Sequence, residues 1–339
     1  MKIANQISMK EIAKLCDVSV ATVSRVINNN GRFSEETRKK VLDTIEKYQY
    51  NTNTVAKALR MKKSNTIGII VPDISNEFFS TIVHGVESFF FEKGFSTIIC
   101  NTGKSKEKEK VYLKTLDSKM VDGLICISGQ EEIEASLLSR NIPIVTMDRR
   151  PKMTNNLAII ESDHSQGGYL ATKHLIEKGC KNIIILTKKN RLSPDIDRME
   201  GYKEALTEYG IPFTLQSIVE TTDHPKGNFE AAREAIRQEL ESGRTFDGVF
   251  ATNDWIALGV VKALSDFGKK VPDDVKVVGF DDITIVKYIE TPLTTIRHDV
   301  EKLAEVTSKL FYQLLTEKDV LIKQKHIKIP VELIARKTT

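Results

Sequence analysis

From Thr66 onward the chain alternates short apolar runs with longer amphipathic stretches, and it does so twice. The first series is TIGIIVP, a helix-like segment through VHGVESFFFEKG, FSTIICN, a charged helix around KEKEKVYLKTL, VDGLICIS, a further helix, and IPIVTMD. The second runs through KNIIILT, RMEGYKEALTEYG, FDGVFAT, WIALGVVKALSDFG and VKVVGFD. Apolar strands that alternate with helices imply parallel sheets built from βαβ units. Two such series imply two similar doubly wound lobes. Ligands in folds of this kind bind beyond the carboxyl ends of the strands. Here those ends carry Asp73, Asn101, Ser128, Asp148, Asn253 and Asp281. Any one of them alone reads as a loop cap; their recurrence marks a polar binding site at those ends.

The segment before this module differs in charge. Residues 1–64 hold 13 Lys and Arg against 6 Asp and Glu, a net +7; the rest of the chain holds 37 against 40, a net −3. A basic end on a mildly acidic body points to nucleic acid as a partner. The local signals agree. Ser8 and Glu11 have capping-box spacing, and Ile12, Ala13, Leu15 and Cys16 then form one apolar face. Asp17-Val18 reads as a turn. Ser19 caps a second helix with Val23, Val26 and Ile27 inward, and Asn28-Asn29-Asn30-Gly31 ends it. Ser34 caps a third, with Val41, Leu42, Ile45 and Tyr48 inward. Three short helices with a tight turn between the first two fit a helix-turn-helix domain.

The lone Arg25 in ATVSRVINNNG follows from that reading. Val23, Val26 and Ile27 pack the second helix down, which leaves Val20, Ala21, Ser24 and Arg25 for the major groove. Val20 and Ala21 allow close approach and contact with a thymine methyl; Arg25 suits a bidentate contact to guanine. Ser19, Thr22, Ser24 and Asn28 complete the candidate DNA-facing set, with Thr22 and Ser24 donating to phosphates.

Several classes are excluded or disfavoured. Cys16, Cys100, Cys126 and Cys180 form no C-x-x-C pair, so neither a zinc site nor a redox motif is indicated, and no metal or cofactor is expected. Free thiols and the absence of an apolar signal-like run suit a reducing cytoplasm. No window is apolar enough for a membrane span. There is no G-x-S-x-G, Walker A loop, H-E-x-x-H or G-x-G-x-x-G, so the chain reads as a binding protein and not an enzyme.

The run MKEIAKLCDVSVATVSRVINN closely resembles the N-terminal signature of the lac/galactose repressor (LacI/GalR) family of bacterial transcription regulators. The continuation VLDTIEKYQYNTNTVAKALRMKKSNTIGIIVPDISNEFF follows the family's next segments in order, and the likeness extends to the C-terminus. It implies a helix-turn-helix headpiece at 1–50, a hinge helix or linker at 51–64, and a two-lobed core at 65–339 for ligand binding and dimerisation, similar to periplasmic sugar-binding proteins. In the family the hinge orders on DNA and an apolar residue wedges into the minor groove. Leu59 stands at that position here, with Asn53, Ala56 and Arg60 beside it; such a wedge unstacks a base step and kinks the duplex. This chain has Thr52 where the family usually has proline, which would pre-set the first helical turn.

The same resemblance supplies a ligand set. VTMDRR gives Asp148 and Arg149, DRMEGY gives Arg198, TNDWIALG gives Asn253 and Trp255, and GFDDI gives Asp281. SNEFF resembles a ribose-type pattern, with Asn76 bonding the ligand and Phe78 or Phe79 stacking on it. His298, in TTIRHD, stands where relatives often carry glutamine or lysine. Asp and Arg suit adjacent sugar hydroxyls, and an aromatic face suits the C–H side of the ring. Two arginines also suit a carboxylate, so a sugar acid stands beside a neutral pentose or hexose as effector.

Chain crossings between lobes are expected near Glu161–Asp163, Thr291–Thr294 and Asp319–Leu321. The N-lobe then comprises about 65–161 and 294–319, the C-lobe about 162–291 and 321–339, with a first-lobe helix from Val300 to Leu315. No leucine-heptad tail follows RKTT, so a homodimer is expected. The expected function is a cytoplasmic repressor of carbohydrate catabolic genes, bound to a palindromic operator as a dimer and controlled by an effector in the cleft. The alternatives are a catabolite-type regulator controlled by a phosphorylated carrier protein and, more remotely, a sugar-binding protein or enzyme without DNA binding.

Overall fold

Ser8 starts the chain's first helix as its spacing predicts. In this computed structural model, which describes residues 7–27, 30–48, 50, 63–128, 130, 132–152, 157–222, 224–317 and 326–339, the Ser8 side chain accepts from the Glu11 N–H while Glu11 Oε2 accepts from the Ser8 N–H at 2.7 Å. The two orphan donors of the helix start are thereby satisfied. Helix α1 (Met9–Cys16) ends on Asp17 in the left-handed conformation. Helix α2 (Val20–Ile27) follows Ser19, whose Oγ accepts from the Thr22 N–H at 3.1 Å. Helix α3 (Glu35–Lys47) is capped by Ser34 in the same way. Ile12, Ala13, Cys16, Val23, Val26 and Val41 form the shared core, with Ile27 and Ile45 packed against it. Three residues expected in that core are not in it: Leu15, Leu42 and Tyr48 are 50%, 43% and 45% exposed. Helices this short bury one narrow stripe, and residues at its edges stay in solvent.

The structure divides into residues 1–64 and 65–339. The second unit holds two six-stranded sheets. The first contains β1 (Thr66–Val71), β2 (Ser96–Asn101), β3 (Gly123–Cys126), β4 (Ile144–Met147), β5 (Ala158–Ser162) and β11 (His326–Ile329), in the order β11-β5-β4-β3-β1-β2, with every neighbouring pair parallel. The second contains β6 (Ile183–Lys188), β7 (Ile218–Thr221), β8 (Gly248–Ala251), β9 (Lys276–Asp281), β10 (Thr294–His298) and β12 (Val331–Ile334), in the order β12-β10-β9-β8-β6-β7. Only the β10–β12 pair is antiparallel. The central strands are buried nearly throughout, which is why they read as continuous apolar runs.

Helices cover both faces of each sheet. Helix α4 (Glu77–Glu92) and helix α10 (Val300–Thr316) bury Phe79, Ile82, Phe90, Leu303 and Phe311 against one face of the first sheet; helix α5 (Lys106–Ser118) covers the other through Leu113 and Leu116. In the second lobe α8 (Asn228–Glu241) and α9 (Asp254–Asp266) lie on one face, and α6 (His164–Glu177) and α7 (Ser193–Glu208) on the other. The last two helices touch backbone to backbone. A Cβ on Gly168 would stand 2.0 Å from the Arg198 carbonyl oxygen, and one on Gly201 would stand 1.9 Å from that of Ser165. Only glycine permits that approach, and it fixes where α7 presents Arg198.

The crossings differ from expectation after the first. The chain passes from β5 to α6 at Asp163, as expected. It returns only after His298, because β10 pairs in parallel with β9 in the second sheet. Residues 294–298 therefore belong to the second lobe and not the first. Helix α10 and β11 belong to the first lobe, and the last crossing is at Pro330, between β11 and β12. The expected crossing at Asp319–Leu321 lies outside the described residues. No helix among the described residues is long and apolar enough to cross a membrane.

Candidate nucleic-acid interface and ligand cleft

Helix α2 turns two faces to different surroundings. Val23 and Val26 are buried, whereas Ser19, Val20, Ala21 and Arg25 are exposed and Thr22 and Ser24 partly so. The exposed set is the one that the sequence assigned to DNA. Arg25 is held at its stem: a Cβ on Gly31 (φ +99°) would stand 3.2 Å from the Arg25 Cδ, so glycine makes room for the side chain there. The Asn30 N–H donates to the Arg25 carbonyl at 2.9 Å and closes the helix end. Asn28, Asn53, Ala56, Leu59 and Arg60 lie outside the described residues.

In the second unit the carboxyl ends of the strands surround a cavity of about 1010 Å³ between the lobes. From the first lobe its wall takes Asn76, Phe78, Phe79, Asp148 and Arg149; from the second, Arg198, Asn253, Trp255 and Asp281. Nine of the ten residues expected to bind ligand thus meet at one surface.

Each is set by its element. Asn76 and Asn253 are helix N-caps, their Oδ1 atoms accepting from the N–H of Phe78 and Ile256 at 2.9 Å. Asp148 stands just past β4 with φ +63°, and Asp281 ends β9 with φ +117°; these left-handed turns aim both carboxylates at the cleft. Arg149 donates to the Ser128 carbonyl at 2.8 Å and lies 5.4 Å over the Phe79 ring. Arg198 donates to the Thr252 carbonyl and has its guanidinium carbon 3.7 Å from the Phe280 ring centre. Trp255 is 42% exposed, at the rim. Asn101 and Ser128, also expected at the rim, serve the loops instead: Asn101 accepts from the Ile74 N–H, and Ser128 donates to Glu109.

Carboxylates and cations are interleaved. His164 Nε2 is 3.3 Å from Asp148 Oδ1, and its Nδ1 is 3.3 Å from an Arg198 Nη. Arg198 is 3.6 Å from Asp281. Burial alone would raise the Asp148 carboxyl, but His164, His298 and Arg149 outweigh it and hold the group well below the usual carboxylate range. Burial lowers Arg149, with Asp148 and Asp195 opposing. Among the described residues, several polar atoms here are buried without a hydrogen bond: Asp148 Oδ1, Arg149 Nε, Arg198 Nε and Thr252 Oγ1. Buried polar atoms are usually satisfied, so this set fits a polar ligand.

His298 departs from its expected place. It does not line the cavity. It is buried behind it, 3.2 Å from Asp281 Oδ1 and 2.6 Å from Ser162 Oγ, with its ring 4.5 Å from that of Phe78. Both of its ring nitrogens are engaged within the protein and its side chain has no exposed surface, so none of it is left for a ligand. It braces two residues that do face the cavity.

Three groups were missed by sequence reasoning. His164 ties Asp148 to Arg198. Arg150 links the lobes, reaching first-lobe Glu161 at 2.5 Å and second-lobe Asp197 at 2.6 Å. Lys188 ends β6 and lines the cleft. The strand-end rule that picked Asp148 also selects Lys188; the other two carry no local signal. The lobes are further joined where Glu77 accepts from the Thr284 N–H at 2.9 Å. Among the described residues no group of three His, Cys, Asp or Glu could hold a metal ion.

The chain was compared with known proteins. Residues 8–53 match the family of bacterial regulatory proteins, lacI family, and residues 172–339 match a periplasmic binding protein-like domain. A ribose operon repressor from Halalkalibacterium halodurans is 35% identical over 335 residues, 98% of this chain and 97% of that protein. The crystal structure of a lac repressor dimer bound to operator and the anti-inducer ONPF aligns over 99% of each chain, at 26% identity and a TM-score of 0.82. A lacI-family transcriptional regulator from Enterococcus faecium with bound ribose is 30% identical, covers 81% of this chain and 98% of its own, and has a TM-score of 0.69.

Proposed function

Because the chain belongs to the lacI family of bacterial regulatory proteins, and is a DNA-binding transcriptional repressor and not an enzyme, we propose that a small sugar-type effector in the interlobe cleft controls its hold on DNA. The observation that carries this reading is the cleft itself. Asp148, Arg149, Arg198 and Asp281 converge on it, the first three with buried polar atoms that make no hydrogen bond, and Phe78, Phe79 and Trp255 supply aromatic surface. That combination suits adjacent hydroxyls on a ring with an apolar face. The ribose held by the Enterococcus relative supports the same chemistry.

On the DNA side, Val20, Ala21 and Arg25 read base edges while Ser19, Thr22 and Ser24 meet phosphates. Two copies of the chain read the halves of a near-palindromic operator. Residues 1–50 form the headpiece and 51–64 the hinge, with Leu59 wedged at the operator centre. The core from 65 binds effector and pairs the two copies. The effector acts through its different affinities for two lobe arrangements, since only such a difference shifts DNA affinity. The regulated genes are those of carbohydrate catabolism, and effector releases the repressor.

The test is selection of bound duplexes from a random pool with the full chain, followed by release with sugars. A two-fold symmetric consensus that neutral sugars, sugar acids or sugar phosphates dissociate supports the reading. A consensus that none of them dissociates overturns the small-effector part and favours a protein partner.

A further inference from the structure

Among the described residues the cleft wall carries seven basic side chains against four carboxylates. Three of those carboxylates already face a donor within the protein: Asp148 faces His164, Asp281 faces His298 and Arg198, and Asp73 accepts from Ser75. Among the basic groups Arg191 is taken by Glu220. Lys188 is different. It is partly buried at the end of β6, and among the described residues its ammonium makes no hydrogen bond or ion pair. Asp195 is the opposing charge that bears on it, and Lys104, Arg149 and Arg198 bear on it from the cationic side. A partly desolvated ammonium without a counter-ion is unfavourable. It is retained at little cost if a ligand brings the counter-ion.

Resting on the cleft as the effector site, we propose that the effector carries an anionic group, a carboxylate or a phosphate, and that Lys188 receives it. Arg149 flanks the anion, and Asp195 accepts from a hydroxyl beside it. Burial, and then the neighbouring Lys104, Arg149 and Arg198 against the pull of Asp195, lower the Lys188 ammonium from its ordinary value. An arriving anion opposes that lowering.

The test is thermal unfolding of the full chain with three sets of probes. These are ribose and glucose, then gluconate and glucuronate, then ribose 5-phosphate and glucose 6-phosphate. Binding to the folded state raises the melting temperature by mass action. One anionic set is expected to raise it at concentrations where the uncharged parents do not, and which set does so tells carboxylate from phosphate. Lys188→Gln is expected to weaken the effective probe tenfold or more and to leave the melting temperature without ligand equal or higher, since a partly desolvated charge is removed. Equal or tighter binding of the uncharged parents overturns the anionic effector while the sugar-controlled reading stands. Undiminished binding of the anionic probe to Lys188→Gln overturns the role of Lys188. No shift from any probe overturns both.

Discussion

The guanidinium carbon of Arg198 lies 3.7 Å from the centre of the Phe280 ring, with Asp281 3.6 Å from one of its nitrogens. A planar cation stacked on an aromatic face is held in one orientation while its edge stays free to bond. The ring comes from β9 and the arginine from α7, so two elements set one donor at the cleft.

Arg198→Ala is therefore expected to remove the effector response. The check is release of labelled operator DNA across an effector titration. A normal release curve would move the site elsewhere in the molecule.

Arg25 stands exposed on α2 with its stem against Gly31. Arg25→Ala is expected to cost about 1–3 kcal/mol on the correct operator and to relax specificity at one base pair. Binding isotherms on operator and scrambled duplexes decide this. Equal losses on both would make Arg25 a phosphate contact.

Gly201 faces the Ser165 carbonyl too closely for any side chain. Gly201→Ala forces α6 and α7 apart and is expected to destabilise the core by about 1–3 kcal/mol, as overpacking does. Because α7 carries Arg198, effector affinity falls as well. Urea unfolding followed by effector titration of the folded fraction measures both; an unchanged midpoint would mean that the helices separate freely.

His298 is buried, and its imidazole lies below its ordinary value of 6.5 for that reason first. Asp281 opposes the shift, while Arg198 and His164 reinforce it. A depressed folded value means that the unfolded chain takes up the proton first, so stability is full above about pH 6.5 and falls as pH drops below it. Stability measured by urea unfolding from pH 7.5 to 5 is expected to decline across that window. His298→Gln is expected to flatten the decline, and an identical slope in the variant would assign it to other groups.

Much of the site was legible because it lies at strand ends, where periodicity gives place away. Apolar runs located β4 and β9, and the next residues, Asp148 and Asp281, were then at the cleft by rule. Asn253 was legible in the same way, and Asn76 through the resemblance of SNEFF to a ribose-type pattern; each is also a helix cap, and a cap and a ligand contact share one local pattern. His298 ends a strand too, yet it is buried, since Ser162 and Asp281, 136 and 17 residues away, take both of its ring nitrogens. Arg150 showed nothing in sequence because its partners, Glu161 and Asp197, are 11 and 47 residues away.

The sequence by itself determined the three capped helices, the strand–helix alternation, the basic end and the polar strand ends. Each of these is local, resting on side-chain period, capping chemistry or charge within a few residues. Only the tertiary structure decided that TTIRH pairs in the second sheet and HIKI in the first, since an apolar run fits either sheet until hydrogen bonds to a distant strand select one. It also decided that, among the described residues, Lys188 faces the cleft without an ion pair while Arg191 is paired with Glu220. Pairing of charges is a matter of distance in space, which spacing along the chain does not encode.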